Sequence, residues 1–205
     1  VGELGAAPWT PRDRAVRPAV AGGLPLRVTD RLTRREITED DFDAIHAYGS
    51  DLEVVQYVPW GPNTEEDTHD FIARTMIKAA AEPRLEYVFA VERRDEDGPM
   101  IGTAGLYLRA DDQDQAMLGY AYAREAWGSG IATEAARAMV EMGFDVLGLR
   151  RIWAACDPDN AGSRRVLEKA GFTVEGLLRD DSVIRGEVRD TLVWAILERE
   201  WRDAE

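Results

Sequence analysis

The chain has 205 residues, of which 45% are apolar, so it is long enough for one globular domain, and no apolar run reaches the roughly 18 residues of a membrane span. Its formal net charge of −14 argues against a nucleic-acid-binding surface and mildly favours cationic partners. The single cysteine, Cys156, excludes an internal disulfide, and because no signal-peptide pattern opens the chain we expect a cytoplasmic protein.

The first 26 residues are predicted to form a flexible arm. They contain four prolines and the pair Gly22-Gly23, and they show no sustained hydrophobic period. We therefore divide the chain into an arm over residues 1–26 and a single domain over residues 27–205.

Two helices are predicted after a first strand over residues 30–36. Thr38 and Thr64 each precede a run of acidic residues, which is typical of a helix start. The first helix is expected to extend to about Tyr48, and the second carries its apolar residues on one face.

Three strands are predicted after these helices, and the third leads into another helix. The strands span residues 86–93, 100–109 and 115–123. A turn sequence, Asp95-Glu-Asp-Gly98, joins the first two strands. The third strand enters the loop Trp127-Gly128-Ser129-Gly130, after which apolar residues recur at helical spacing until Gly148.

The rest of the chain alternates strand and helix. A buried strand over residues 151–156 precedes a short helix that Asn160 caps and Gly171 closes. Further strands are predicted near residues 172–178 and 188–196, and the tail is predicted to be helical.

The order strand, glycine loop, helix predicts a phosphate-binding point. Backbone N–H groups and a helix N-terminus converge there, and glycine lets a ligand approach closely. No Lys follows Gly130, so the loop is not a Walker loop. Thr133 stands where a dinucleotide fingerprint needs a third Gly or Ala, and the next strand-end acid, Asp157, comes too late in the chain. Coenzyme A and a plain turn without a ligand remain as alternatives.

Two motifs resemble the GNAT superfamily of acyl-CoA N-acyltransferases. The segment Trp127-Gly-Ser-Gly-Ile-Ala132 is similar to its pyrophosphate loop, Gln/Arg-x-x-Gly-x-Gly/Ala, with Trp in the first place. The segment Asn160-Ala-Gly-Ser-Arg-Arg-Val-Leu-Glu-Lys-Ala-Gly-Phe172 is similar to Asn-x-x-Ser-x-x-x-Leu-Glu-Lys-x-Gly-Phe. The run Trp-Gly-x-Gly-x-Ala-Thr-Glu-Ala resembles the branch that acetylates the N-termini of ribosomal proteins.

The resemblance covers residues 30–201 and implies the GNAT fold. This is an α/β (α+β) fold with a mixed, mostly antiparallel sheet of six to seven strands flanked by helices. It implies acetyl transfer from acetyl-CoA to a primary amine, by direct attack in a ternary complex. The acceptor would be a protein N-terminus or a small amine.

The resemblance also implies a set of site residues. The third strand would be splayed from its neighbour, so that its free N–H groups hold the thioester and the pantetheine arm. The residues expected to bind coenzyme A are Tyr120, Ala121, Tyr122, Trp127, Gly128, Ser129, Gly130, Ile131, Ala132, Thr133, Asn160 and Ser163. Basic residues expected near its phosphates are Arg164, Arg165 and Lys169.

The catalytic and acceptor-site residues are less closely defined. Ser163 would donate a proton to the leaving thiolate, although its hydroxyl can equally bond its own backbone. Asp181 and Ser182, with Asp180, are candidates for the base that takes the amine proton, or they form a solvated turn. Tyr57 and Trp60 either line the acceptor cleft or fill core.

Two departures from the family pattern keep other functions open. Met117 stands where many relatives have Glu, and Leu167 where many have a proton-donating Tyr. A non-catalytic acyl-CoA-binding sensor, an aminoglycoside- or polyamine-type acetyltransferase and another nucleotide-binding enzyme are the alternatives.

The remaining candidates carry little chemistry. Cys156 is expected to be a core thiol, while His46 and His69 are expected at surface or satisfied positions. Two His and one Cys far apart have no metal-site spacing, so no metal is expected. We expect no nucleic-acid or membrane partner, and a homodimer is possible.

Overall fold

The computed structural model describes residues 29–94 and 100–203. The predicted arm over residues 1–26 and the predicted turn over residues 95–98 lie outside the described residues. None of the described helices has the length and hydropathy of a membrane span.

In the part of the chain that the structure describes, seven strands form one sheet, in the order β1-β2-β3-β4-β5-β7-β6. The strands are β1 Leu32–Glu36, β2 Glu86–Arg93, β3 Gly102–Leu108, β4 Gln115–Tyr122, β5 Arg151–Cys156, β6 Thr173–Ile184 and β7 Glu187–Leu197. β4 and β5 run parallel, and the other neighbouring pairs are antiparallel. This arrangement confirms the predicted mostly antiparallel sheet.

Within residues 29–94 and 100–203, six α-helices surround the sheet. They are α1 Phe42–Gly49, α2 Leu52–Val55, α3 Glu65–Ala79, α4 Ile131–Glu141, α5 Ala161–Lys169 and α6 Glu198–Asp203. α4 continues into a π-helical turn over Met142–Val146, which carries the chain to Gly148 in a left-handed conformation, as the sequence predicts for a helix end.

The start of α3 shows how local sequence sets a helix boundary. The Thr64 hydroxyl accepts a hydrogen bond from the Asp67 N–H at 3.1 Å, and the Thr64 N–H donates to the Asp67 carboxylate at 2.9 Å. This capping box satisfies two N–H groups that the first turn of a helix leaves without a partner. One face of α3, which includes Thr68, Ile72 and Thr75, is buried.

β2 supplies side chains to both faces of the sheet. Val88 and Ala90 pack into a core with residues of α1 and α3, whereas Phe89 and Val91 pack into a larger core with residues of α4. Successive side chains of a strand point to opposite faces, so the run of four buried residues is the signature of a sheet covered on both sides. α1 and α3 therefore form one layer and α4 the other.

The predicted strands over 86–93 and 151–156 have the observed bounds, while two predictions needed correction. The strand predicted near residues 172–178 extends to Ile184 through irregularities in its pairing with β7. The short helix α2 was not predicted, since four residues are too few to show a helical period.

Candidate active site

The sheet opens between β4 and β5. These strands pair from Gln115↔Arg151 to Met117↔Trp153, and beyond that point the described residues show no further pairing between them. β4 nevertheless continues to Tyr122, and its other edge stays paired with β3 along its length. The predicted splay is observed, and it leaves backbone N–H and C=O groups of β4 facing an opening.

A cleft of about 1300 Å³ runs through this opening. Pockets for a single small ligand usually measure about 300–1,000 Å³, so this cleft has room for two reactants. One half is walled by β4, the glycine loop, β5 and α5, and the other by α1, α3 and the loop between α2 and α3.

Most of the predicted cofactor-binding residues line the first half of the cleft. They are Tyr120, Ala121, Tyr122, Trp127, Gly128, Gly130, Ala132, Thr133, Asn160 and Ser163. The Ser129 side chain instead turns back and donates to the Ala126 carbonyl at 2.6 Å, and the Ile131 side chain is buried in the main core. These two residues can reach a ligand through their backbone alone.

The glycine loop brings an uncapped helix end to the cleft. Gly128 and Gly130 have φ angles of +71° and +82°, a region that other residues enter at a cost. Gly130 is the residue before α4 and has no side chain to bond the first-turn N–H groups. The Trp127 indole N–H donates to the Tyr122 carbonyl at 3.0 Å, which fixes the loop against the end of β4. These features together suit an anion.

Basic side chains of α5 add positive charge to this half of the cleft. Arg165 and Lys169 line the cleft, whereas Arg164 donates to the Pro158 carbonyl at 3.2 Å. From residue 124 to 172 the sequence holds seven basic and seven acidic residues, so this half is neutral in a protein of net charge −14. The cleft therefore lacks the repulsion that the rest of the surface would exert on a phosphate.

The α5 start holds Ser163 at the inner end of the opening. The Asn160 side-chain oxygen accepts the Ser163 N–H at 2.9 Å and caps the helix. The Ser163 hydroxyl oxygen lies 2.9 Å from the hydroxyl oxygen of Tyr120, which comes from β4. Burial raises the pKa of Tyr120 well above its usual value, so the phenol stays protonated. Cys156 lines the same wall, and burial raises the pKa of its thiol.

An ion pair fixes the turn between β5 and α5. Arg189 on β7 bonds both carboxylate oxygens of Asp157, at 2.8 and 3.2 Å, and reaches Asp159 at 2.9 Å. Burial alone would raise the pKa of Asp157, but the bonds from Arg189 and the backbone hold it below its usual value. With its carboxylate engaged by Arg189, Asp157 supports the turn and does not face a ribose.

The second half of the cleft is formed by α3 and by the loop after α2. Tyr57 and Trp60 line it, together with Asp67, Asp70 and Phe71. The Asp67 carboxylate is used by the helix cap, whereas Asp70 is exposed and has no partner among the described residues. This half presents aromatic rings, the Asp70 carboxylate and, one helical turn further along α3, the Arg74 guanidinium.

Two arginines from distant elements brace that loop. Arg185, in the turn between β6 and β7, donates to the carbonyls of Val55 at 2.6 Å and Gly61 at 3.2 Å. Arg124, after β4, pairs with Asp51 at 2.6 Å and with Glu53 at 3.1 Å. Neither arginine was predicted as part of the site, because nothing in the local sequence marks which arginine will meet a partner far along the chain.

The structure does not bring the candidate bases to Ser163. Asp181 and Ser182 lie on β6, next to Asp180 in a left-handed conformation, at an irregularity in the β6–β7 pairing. Asp181 is exposed, the Ser182 hydroxyl donates to the Arg189 carbonyl at 3.5 Å, and neither residue lines the described cleft. Within the described residues no cluster of His, Cys, Asp and Glu has the composition of a metal site.

Comparison with known proteins gives matches over most of the chain. A family model described as an acetyltransferase (GNAT) domain matches residues 31–173. The uncharacterized N-acetyltransferase p20 of Bacillus licheniformis is 34% identical over 178 residues, which cover 84% of this chain and 96% of p20. The crystal structure of a GNAT-family acetyltransferase from Bacillus anthracis superposes with a TM-score of 0.73 and 30% identity, over 83% of this chain and 96% of that one.

Two further solved structures share the fold at lower identity. The spermidine N-acetyltransferase of Vibrio cholerae, in complex with CoA and spermine, has a TM-score of 0.73 and 21% identity, over 85% of this chain and 99% of that one. The ribosomal-protein-S5-alanine acetyltransferase of Vibrio fischeri has a TM-score of 0.71 and 23% identity, over 85% and 97%.

Proposed function

The chain belongs to the GNAT acetyltransferase family and is an N-acetyltransferase, and from that premise we propose that it binds acetyl-CoA in the β4–α5 half of its cleft and a primary amine in the α3 half. The observation that carries this proposal is the opening between β4 and β5, which continues into the glycine loop at one end and meets Ser163 at the other.

The chemistry of the first half suits coenzyme A. The uncapped start of α4, with Arg165 and Lys169 nearby, provides N–H donors and positive charge for phosphate groups. The unpaired edge of β4 provides main-chain donors and acceptors for the amide groups of the pantetheine arm. Its N–H groups also suit the thioester oxygen, where negative charge develops during acyl transfer.

The transfer is a direct displacement. The neutral amine nitrogen attacks the thioester carbonyl carbon, the C–N bond forms, the C–S bond breaks, and the proton lost by nitrogen balances the proton gained by the thiol. Holding both reactants in one cleft replaces a bimolecular encounter, an advantage of about 7–11 kcal/mol in favourable cases. Ser163 is the group proposed to donate to the leaving sulfur.

We assign the acceptor to the class of protein N-termini. The sequence run from Trp127 to Ala136 resembles the ribosomal-protein branch, and the cleft of about 1300 Å³ has volume for the first residues of a peptide beside the cofactor. The aromatic side chains of Tyr57 and Trp60 would flank the first residue of such a peptide.

Polyamines are the second candidate acceptor. The carboxylate of Asp70 lies in the acceptor half, and residues 51–74 contain six acidic residues and one basic residue, Arg74, which also lines this half. A second positive charge on the acceptor would be attracted to that surface. The spermidine acetyltransferase of Vibrio cholerae shares the fold, although at an identity that supports the fold alone.

The deciding experiment measures thiol release from acetyl-CoA against polyamines, aminoglycosides and peptides that begin with Ala, Ser or Met. Calorimetry of acetyl-CoA binding runs in parallel. Binding with release on peptides supports the proposal, and release on polyamines alone selects the second candidate. Binding with no release on the whole panel selects a non-catalytic acyl-CoA sensor, and absence of binding overturns the cofactor assignment.

A further inference from the structure

A phenol from β4 meets the hydroxyl at the start of α5. The Tyr120 and Ser163 hydroxyl oxygens are 2.9 Å apart, although 43 residues separate them. Tyr120 also lies 3.4 Å from the Ser163 carbonyl oxygen, a longer and weaker contact. Both hydroxyls lie on the wall of the cleft, where β4 and β5 have separated.

Two side chains that neighbour Ser163 on this wall are not strong proton donors. Leu167 follows Ser163 by one helical turn, lines the same wall and is apolar. Cys156 also lines it, but a thiol is a weak hydrogen-bond donor. Ser163 is therefore the hydroxyl on α5 that can serve a leaving sulfur, and Tyr120 is its hydroxyl partner.

A serine hydroxyl has one hydrogen and can direct it to one acceptor at a time. If Ser163 donated to Tyr120, that hydrogen would not be available to the sulfur. If Tyr120 donates, the Ser163 oxygen is satisfied as an acceptor and its hydrogen can be directed elsewhere. The Cys156 thiol is one neighbour of the Ser163 hydroxyl, and because a thiol sulfur is a weak acceptor, a bound thiolate would compete well for that hydrogen.

We propose that Tyr120 is a positioning residue for Ser163: its phenol donates to the Ser163 oxygen, so that the Ser163 hydroxyl donates to the sulfur of coenzyme A. This inference rests on the part of the proposed function that places coenzyme A in this half of the cleft. Tyr120 keeps its own proton throughout, and the overall proton balance of the transfer is unchanged.

Burial supports this direction of the bond. The pKa of Tyr120 is raised because the charged phenolate would be desolvated, so the phenol remains a neutral donor through the working pH range. A neutral donor next to Ser163 also makes the Ser163 hydroxyl a better donor, since hydrogen bonds in a chain polarise one another.

The first test is a mutant cycle on turnover. Tyr120→Phe is expected to lower kcat about 3- to 10-fold, as for loss of one neutral hydrogen bond, with little change in the KM for acetyl-CoA. Because Tyr120 acts through Ser163, the double variant with Ser163→Ala should be no slower than Ser163→Ala alone. The proposal would be overturned if Tyr120→Phe kept the kcat of the unaltered protein, or if the losses of kcat from the two substitutions were additive in the double variant.

Tyr48→Phe is the matched control for losing a buried hydroxyl. Its hydroxyl lies 3.3 Å from that of Thr103 and makes no contact with Ser163, so its effect on kcat should add to that of Ser163→Ala. If the effects of Tyr48→Phe and Ser163→Ala on kcat were not additive, the mutant cycle would report a general loosening of the cleft. That result would count against the role of Tyr120.

The second test needs no turnover. The pKa of the CoA thiol bound to the protein is followed by the ultraviolet absorbance of the thiolate. A hydrogen bond from Ser163 stabilises the thiolate and lowers this pKa, and Tyr120→Phe and Ser163→Ala should both raise it. A rise in Ser163→Ala but not in Tyr120→Phe overturns the inference. If both variants raise the pKa but the unaltered protein acetylates no amine, the inference stands and the proposed function fails.

Discussion

Arg185 and Val55 lie 130 residues apart in the chain, yet the guanidinium of Arg185 donates to the Val55 carbonyl at 2.6 Å. The same side chain also donates to the Gly61 carbonyl. The turn after the longest strand of the sheet thus holds the loop that carries Tyr57 and Trp60.

Arg185→Ala is expected to loosen the acceptor loop without disturbing the cofactor half. Loss of charge-assisted bonds to the carbonyls of Val55, Val58 and Gly61 should raise the KM for the amine about tenfold, while the Kd for acetyl-CoA stays within about twofold. Steady-state kinetics and calorimetry measure the two quantities. Arg179→Ala removes an exposed arginine from β6 itself and should change neither. If the KM for the amine and the Kd for acetyl-CoA rose equally, the loop would support both halves of the cleft and not the acceptor half alone.

Gly128→Ala is expected to weaken acetyl-CoA binding through the backbone. A methyl group at Gly128 would meet no atom within 4 Å, so the cost arises from its φ of +71°. Left-handed backbone costs a non-glycine residue about 1–2 kcal/mol, which corresponds to a roughly 5- to 30-fold weaker Kd if the loop shifts to relieve it. Gly176→Ala is the control, because its methyl group would also meet nothing within 4 Å and its φ is not left-handed. Equal affinities for the two variants would contradict the conformational role of Gly128.

Asp70→Asn should distinguish the two acceptor classes. The Asp70 carboxylate, which has no partner in the part of the chain that the structure describes, attracts a second positive charge. The KM for polyamines should therefore rise several-fold, and the rise should shrink with added salt. The KM for a primary amine that carries no second positive charge should stay the same. Glu66→Gln removes an exposed charge from α3 at a position outside the cleft lining and serves as the control. A salt-independent change would point to a steric effect instead.

Asp41→Asn should lower stability in a pH-dependent way. The Asp41 side chain is 4% exposed, accepts two bonds from Arg35 at 2.7 and 2.6 Å, and accepts the Thr38 N–H at 2.8 Å. Burial alone would raise the pKa of Asp41, but these bonds hold it below its usual value. The substitution should cost about 1–3 kcal/mol of unfolding free energy at neutral pH.

The sign of that pH dependence follows from the lowered pKa. The stabilisation is fully present above the unfolded-state pKa, near 3.9, and is lost as pH falls through the lower folded-state pKa. The two proteins should therefore converge in stability as pH drops below about 4, as measured by urea unfolding. Asp43→Asn, an exposed site on α1, should give no such convergence.

Patterns that repeat along the chain allowed much of the fold to be predicted. The four buried residues of β2, the capping sequence at Thr64 and the glycines of the loop each determine structure through their neighbours in sequence. Asn160 caps α5 for the same local reason. These features suffice to place most of the predicted cofactor-binding residues on one cleft wall.

Pairings between distant elements could not be predicted in this way. The alternation of Leu118, Tyr120 and Tyr122 marks a strand but does not say which hydroxyl will meet Ser163. Arg185 likewise looks like any arginine in a polar turn until β6 and β7 extend far enough to carry it to the α2–α3 loop. The general base among Asp180, Asp181 and Ser182 stays a prediction.

The bond between Arg185 and Val55 also orders events during synthesis. Arg185 is synthesised more than 120 residues after residues 51–61, so its side chain leaves the ribosome well after that loop. Chains are synthesised at about 5–20 residues per second, so roughly 6–26 seconds pass between synthesis of the loop that carries Tyr57 and Trp60 and synthesis of Arg185, which holds it. A nascent chain stalled before residue 185 would therefore have its glycine loop complete and its acceptor wall unfinished.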